Sequence, residues 1–144
     1  MKLLSQLFQR TFKKKVLIVD DEQHIRDELG HFLRKKYCVF TAATRQEAIE
    51  IIKKDQPHFV IIDLNLDTES EYSGLILLAW LVKTYPAIKP LILSAYTFEH
   101  VRESDDFKER EEQVKPVIEQ SYISKGARAN YIETVTTRLE KENE

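Results

Sequence analysis

Four short apolar runs of this 144-residue chain each stop at a residue able to do chemistry. Val16-Leu17-Ile18-Val19 ends in Asp20-Asp21-Glu22, and Phe59-Val60-Ile61-Ile62 ends in Asp63. Leu91-Ile92-Leu93 ends in Ser94, and Ser121-Tyr122-Ile123-Ser124 ends in Lys125. Carboxylates gathered at one place repel one another and raise each other's pKa unless a cation neutralises them. An all-oxygen cluster with no His or Cys suits Mg²⁺. Lys125 supplies positive charge opposite the metal and Ser94 a hydroxyl donor, together able to hold the oxygens of a tetrahedral dianion on Asp63. A carboxylate that attacks phosphorus becomes an acyl phosphate, so aspartyl phosphorylation is the chemistry this set suits.

These residues act together only if the elements that carry them bring them to one edge. The runs at 16–19, 59–62 and 91–93 are β-branched or leucine-rich without alternation, as in strands buried on both faces. Tyr37 to Thr41 reads as a further strand, with Cys38 packing in it as a small apolar residue. Between the strands, Ile25, Leu29, Phe32 and Leu33 recur at helical spacing. Thr44 and Glu47 form a capping box for a helix over Ala48, Ile49 and Ile52 that closes near Pro57. Ser73 is expected to cap a helix from about Gly74 to Tyr85, ahead of Pro86. A charged helix is expected from about Phe98 to Val114, and a closing helix over 127–141. Strands alternating with helices predict an α/β fold with a parallel sheet covered on both faces and right-handed crossovers. Such sheets bind ligands beyond the carboxyl ends of their strands, where Asp20, Asp21, Asp63, Ser94 and Lys125 fall.

Composition agrees with one ordinary domain: 42% hydrophobic residues, three Gly, four Pro and a single Cys. One cysteine forms no internal disulfide, which points to a reducing compartment and a cytoplasmic protein. The longest apolar run, Leu75 to Val82, is far short of the ~20 residues that span a bilayer, and the N-terminus lacks the continuous apolar core of a secretory signal. Residues 1–15 carry Lys2, Arg10, Lys13, Lys14 and Lys15 with no acid, so the body is more acidic than the net charge of −2 implies. An acidic body argues against direct DNA binding. The basic segment also places Leu3, Leu4, Leu7, Phe8 and Phe12 at helical spacing. It reads as an amphipathic extension, frayed or covered by a partner, with weak association to an anionic membrane as the other reading. The helix at 75–82 is apolar almost all round. The N-terminal segment, the charged stretch or a second subunit of a homodimer must then cover Ile76, Ala79 and Trp80.

Taken together, VLIVDDE at 16–22, FVIIDLNL at 59–66, LILSAY at 91–96 and YISKGA at 122–127 resemble the receiver domain of two-component response regulators. The resemblance runs from Val16 to the last helix, dividing the chain into an extension at 1–15 and a receiver domain at 16–144. It implies a flavodoxin-like, doubly wound (βα)5 fold with five parallel strands in the order 2-1-3-4-5. It makes Asp63 the phosphoacceptor and Mg²⁺ the cofactor, held by Asp20, Asp21, Asp63 and the backbone carbonyl of Asn65. Lys125 pairs with the phosphoryl group, Ser94 is similar to the family's switch hydroxyl, and Tyr122 to the aromatic whose rotamer follows it. The donor is then a sensor histidine kinase or a histidine phosphotransfer protein. Because the chain stops soon after the last helix, a stand-alone phosphoreceiver signalling to a downstream protein is expected. It would catalyse only its own phosphorylation and dephosphorylation, and not be an enzyme acting on a separate metabolite.

The sequence departs from the family pattern in three places. The loop after Asp63 is lengthened and carries Asp67, Glu69 and Glu71 but no proline; the segment between Ser94 and Lys125 is longer and highly charged; and Gly126 follows Lys125 where a proline and a cis peptide are common. Two other readings stand beside the main one. A pseudo-receiver would use the same fold as a constitutive interaction scaffold. A Mg²⁺-dependent phosphohydrolase would need a second Asp two residues after the nucleophile, where this chain has Asn65. No glycine-rich loop follows any strand, which disfavours a nucleotide-binding fold. His24, His31, His58 and His100 show no ligand spacing and read as solvated or packing residues.

Overall fold

The computed structural model describes residues 13–66, 72–125 and 131–143. The expectations for residues 1–12, for Asp67, Glu69 and Glu71, and for Gly126 lie outside them. Strands β1 (Lys15–Val19), β2 (Cys38–Ala42), β3 (Phe59–Asp63), β4 (Lys89–Ser94) and β5 (Tyr122–Ser124) form one parallel sheet in the order β2-β1-β3-β4-β5. Helices α1 (Gln23–Leu33), α2 (Arg45–Asp55), α3 (Gly74–Thr84), α4 (Phe98–Arg102), α5 (Asp105–Ser121) and α6 (Tyr131–Glu142) connect or follow them.

The runs that fail to alternate in hydrophobicity do so because both sheet faces are buried. Leu17, Val19, Val60, Ile62 and Ile92 point into one apolar layer, with residues of α2, α3 and α5. Val16, Ile18, Phe59, Ile61, Leu91, Leu93 and Ile123 point into the other, with residues of α1 and α6. Register then aligns the functional ends: Val19 lies beside Ile62, Asp63 beside Leu93, and Ser94 beside Ser124. One backbone bond beyond the last ladder pair, from the Lys125 N–H to the Ser94 carbonyl at 2.6 Å, continues this edge.

Thr44 caps α2 as expected, while Glu47 reaches back one residue beyond the N-cap. Thr44 Oγ1 accepts from the Glu47 N–H at 3.1 Å, and Glu47 Oε2 accepts from the Ala43 N–H at 2.9 Å. Thr44→Ala is therefore expected to lower unfolding stability by about 1 kcal/mol, read as a shift in urea midpoint at constant m-value.

Three local expectations are corrected. The charged stretch is two helices, because Ser104 ends one and starts the next: its hydroxyl donates to the Val101 carbonyl at 2.7 Å and accepts from the Phe107 N–H at 3.2 Å. The second helix, α5, continues through Pro116 to Ser121, which leaves β5 without Ser121. Ser73 occupies the N-cap position of α3 but makes no cap bond; its buried Oγ accepts from the Leu66 N–H at 3.0 Å, an otherwise buried donor of the loop.

Most of the apolar surface of α3 is covered within the chain, Ala79 included, while Ile76, Trp80 and Val82 stay half-buried. The helix packs against α2 and above all α5, so the long charged segment provides its cover, while Trp80 is half-buried edge-on to Tyr85 at 5.8 Å. Among the described residues, no helix is long and apolar enough to cross a membrane.

Candidate functional site

Parallel strand order places the ends of β1 and β3 side by side, with β4 and β5 following. The carboxylates arriving there are hidden to different degrees. Asp20 and Asp63 are almost fully buried, at 1% and 3% exposure, while Asp21 next to them is open to solvent. The Lys125 ammonium reaches across the edge, 2.8 Å from Asp20 Oδ2 and 3.3 Å from Asp63 Oδ1. Glu22 lies farther out, at 3.9 Å from the same nitrogen.

The local backbone fixes these side chains. Asp20 Oδ1 accepts from the Glu22 N–H at 3.0 Å, and Asp63 Oδ1 from the Asn65 N–H at 3.2 Å. Both are turns two residues long at the end of a strand, where an Asp side chain satisfies the first freed donor. Arg26 holds the Asp20 carbonyl at 2.8 Å from α1.

The charges do not balance by themselves. Burial, then the neighbouring Asp20, pushes the Asp63 carboxyl from 3.8 up to about 7, and the opposing pull of Lys125 and the Asn65 N–H does not undo this. Asp21 is also raised, by burial and by the charges of Asp20 and Glu22. Burial works against the Lys125 ammonium, yet Asp63 and Asp20 more than offset it and the pKa ends above its ordinary value. One lysine among these acids leaves an excess of negative charge in a partly dry place.

The donor set fits a hard divalent cation. Asp20, Asp21 and Asp63 each offer a carboxylate oxygen, all within 4.8 Å of one another. Asp20 Oδ2 is buried, and the neighbour that meets it is the lysine ammonium at 2.8 Å. Oxygen-only ligation of this kind matches Mg²⁺ or Ca²⁺ and not Zn²⁺.

Ser94 is fully buried at the end of β4, and its Oγ accepts from the Tyr96 N–H at 3.1 Å. It is not a helix cap: Thr97 caps α4 by accepting from the His100 N–H at 3.3 Å. Tyr122 is half-buried, and its hydroxyl donates to the Tyr96 carbonyl. Burial raises the Tyr122 phenol above its ordinary value, with a hydrogen bond to Ser94 working against the rise. Thus Asp20, Asp21, Asp63 and Lys125 are brought together directly. Asn65 adjoins them through its backbone, and Ser94 and Tyr122 form a coupled pair on the neighbouring strands.

Sequence reasoning missed two features. Lys125 contacts Asp20 more closely than Asp63, although β3 lies nearer β5 than β1 does; the reach of the side chain across the edge, which spacing does not reveal, decides this. His100, read as a solvated or packing residue, is paired with the buried Tyr72 hydroxyl. No periodicity links positions 28 residues apart, so no sequence signal marked that pair.

Comparison with known proteins follows the same lines. The family model described as the response regulator receiver domain matches residues 16–127. Sporulation initiation phosphotransferase F of Bacillus subtilis (strain 168) is 37% identical over 54 residues, covering 37% of this chain and 44% of that protein, so the matched part spans less than half of that relative. A CheY-like response regulator receiver domain protein from Methanospirillum hungatei JF-1 superimposes with a TM-score of 0.68 at 26% identity, covering 90% of this chain and 93% of that one. A response regulator from Thermotoga maritima gives a TM-score of 0.69 at 21% identity, with 90% and 97% covered, a likeness in fold.

Proposed function

Because the chain belongs to the response regulator receiver domain family, we propose that it is a phosphoreceiver that takes a phosphoryl group on Asp63 and thereby changes a surface read by another protein. The observation that carries this reading is the pair of buried carboxylates, Asp20 and Asp63, sharing the Lys125 ammonium at 2.8 and 3.3 Å beside the open Asp21.

An Asp63 oxygen attacks the phosphorus of a phosphohistidine, the P–N bond breaks, and the imidazole leaves with a proton from solvent. The donor is a sensor histidine kinase or a histidine phosphotransfer protein. The product is an acyl phosphate, and attack of water on phosphorus later returns the carboxylate. Lys125 is already held at the site and keeps positive charge beside the phosphoryl oxygens as they arrive. Asp20, Asp21, Asp63 and the Asn65 carbonyl are the residues that would hold Mg²⁺, which supplies neutralisation of the carboxylates and of the transferring group. Ser94 turns its hydroxyl to a phosphoryl oxygen, and Tyr122, bonded to it, follows. The domain acts on itself alone, with no separate metabolite as substrate. The reading fits a cytoplasmic protein in a two-component or phosphorelay pathway, with a downstream protein as the listener.

Incubation with acetyl phosphate and Mg²⁺ tests it: a mass gain of one phosphoryl group is expected on the wild-type protein. Absence of any gain would leave a constitutive scaffold with the same fold. A second expectation concerns the cation. Saturating Mg²⁺ raises the melting temperature, because a ligand bound only by the folded state stabilises it, and Asp21→Ala blunts that rise. Equal rises in both proteins in a thermal melt would contradict Asp21 as a ligand.

A further inference from the structure

Opposite the acids the parallel sheet has a second edge, where strands begin and helices end. Around the starts of β1 and β2 that edge is basic. Lys13 and Lys14 lead into β1, Arg34 and Lys35 follow α1, and Lys53 and Lys54 stand in the last turn of α2. Lys13 reaches the Arg34 carbonyl at 3.5 Å, which joins the first two groups. Among the described residues, none of these side chains forms an ion pair. Of the acids on the neighbouring helix ends, Glu140 is already paired with Lys36 at 2.7 Å, which leaves Asp55 at the end of α2. A helix C-terminus attracts cations, but its dipole amounts to about half a charge, well short of this group. Phe32 lies in the same place. It sits in the last turn of α1, 48% exposed, with the Lys35 ammonium 5.4 Å from its ring centroid. The sequence that joins this edge through Lys13 has the same character, with Leu3, Leu4, Leu7, Phe8 and Phe12 set among basic residues and no acid.

We propose that this edge docks on the anionic surface of a lipid bilayer, with Phe32 entering the headgroup layer and the edge that carries Asp20, Asp21 and Asp63 turned toward the solution. Cations beside an apolar ring are what such a surface takes. Each Lys or Arg gains from the negative surface potential, and the ring gains by leaving water. The acids of the body do not cancel this attraction. From Lys15 to Asp20 along β1 is about 17 Å, twice the Debye length of ~8 Å at physiological salt, so lipid that meets the basic edge is screened from the acidic one. The same separation orients the domain, since only one edge is attracted. Nucleic acid phosphates would use the same cations, but the apolar residues among them favour lipid.

The experiment sediments the full chain with vesicles of phosphatidylcholine alone and of equal parts phosphatidylcholine and phosphatidylserine, at about 0.15 M salt. Binding is expected to the anionic vesicles only, and to weaken as salt is raised. Lys35→Glu with Lys54→Glu is expected to lower the partition coefficient about tenfold or more, and Phe32→Ser about fivefold. Lys108→Glu with Lys115→Glu makes the same change of net charge on α5, which packs against α3 and β4, and is expected to stay within about twofold of the wild type. All of these side chains are exposed, so the variants are expected to melt as the wild type does. No binding to anionic vesicles overturns the proposal, as does an equal loss in the two double variants. Unchanged binding in the variants at Phe32, Lys35 and Lys54 would place the affinity outside this edge and overturn it too. Tighter binding to duplex DNA than to anionic vesicles at the same salt would make the edge a nucleic-acid surface and overturn the lipid assignment.

Discussion

Asp63→Asn is expected to take up no phosphoryl group from acetyl phosphate and Mg²⁺ and, without divalent cations at about pH 8, to melt several degrees above the wild type. The first result follows from chemistry, since an amide does not form the acyl phosphate. The second follows from electrostatics. The Asp63 carboxyl is lifted from 3.8 to about 7 by burial and by Asp20, so its ionised form is less stable in the fold than in the unfolded chain. A group raised in this way binds its proton more readily when folded. Between about pH 4 and pH 7 the folded state therefore holds more protons than the unfolded state, and stability falls as pH rises through that window. Above pH 7 the full penalty, of the order of 2–4 kcal/mol, is present. Asn carries no such charge, so the variant should show a flatter pH profile of unfolding free energy across the window. A wild-type profile that rises from pH 4 to pH 7 without metal would show that Lys125 compensates fully. Loss of function with gain of stability is the signature of a site kept under electrostatic strain for its chemistry.

Gly74→Ala is expected to be the most damaging single methyl group that can be added near the site. A Cβ at Gly74 would stand 2.3 Å from the Asp63 carbonyl oxygen, 2.6 Å from Leu64 Cα and 3.0 Å from the Asp63 carbonyl carbon. All three atoms are backbone, and Gly74 itself donates to the Leu64 carbonyl at 2.8 Å. Nothing there can swing aside, so either α3 or the end of β3 must move, and β3 carries Asp63, the proposed phosphoacceptor. The expected loss is about 3 kcal/mol in urea unfolding, at the upper end of ordinary overpacking, together with slower phosphorylation of Asp63. Gly30→Ala is the contrast. Its added Cβ would meet the far end of the Arg34 side chain at 2.8 Å, which can rotate away into solvent. In the middle of α1 the change should leave stability equal or raise it by about 0.5–1 kcal/mol. Similar losses at both glycines would refute the close approach of α3 to β3.

These expectations differ in how far the sequence alone supports them. The apolar runs at 16–19, 59–62 and 91–93 are legible because a strand buried on both faces must be apolar at every position. Asp20, Asp63, Ser94 and Lys125 are legible because they end such runs, and a parallel sheet sends all those ends to one edge. Thr44 and Glu47 announce a cap through interactions four residues long. Ser73, another N-cap residue type just before an apolar run, makes a different bond, because its hydroxyl accepts from the buried Leu66 N–H instead of from the first turn of α3. The break at Ser104 was hidden for a similar reason, since a serine among charges also suits a helix surface.

By its own pattern, the sequence determined the parallel α/β sheet and the residues collected at its carboxyl edge, since both depend on which side chains sit within a few positions of one another. Only the tertiary structure decided which acid lies nearest Lys125, that α5 covers much of the apolar surface of α3, and that His100 reaches the phenol of Tyr72. Those contacts join residues distant in sequence, and their energy comes from burying surfaces and polar groups that meet only after the chain has folded.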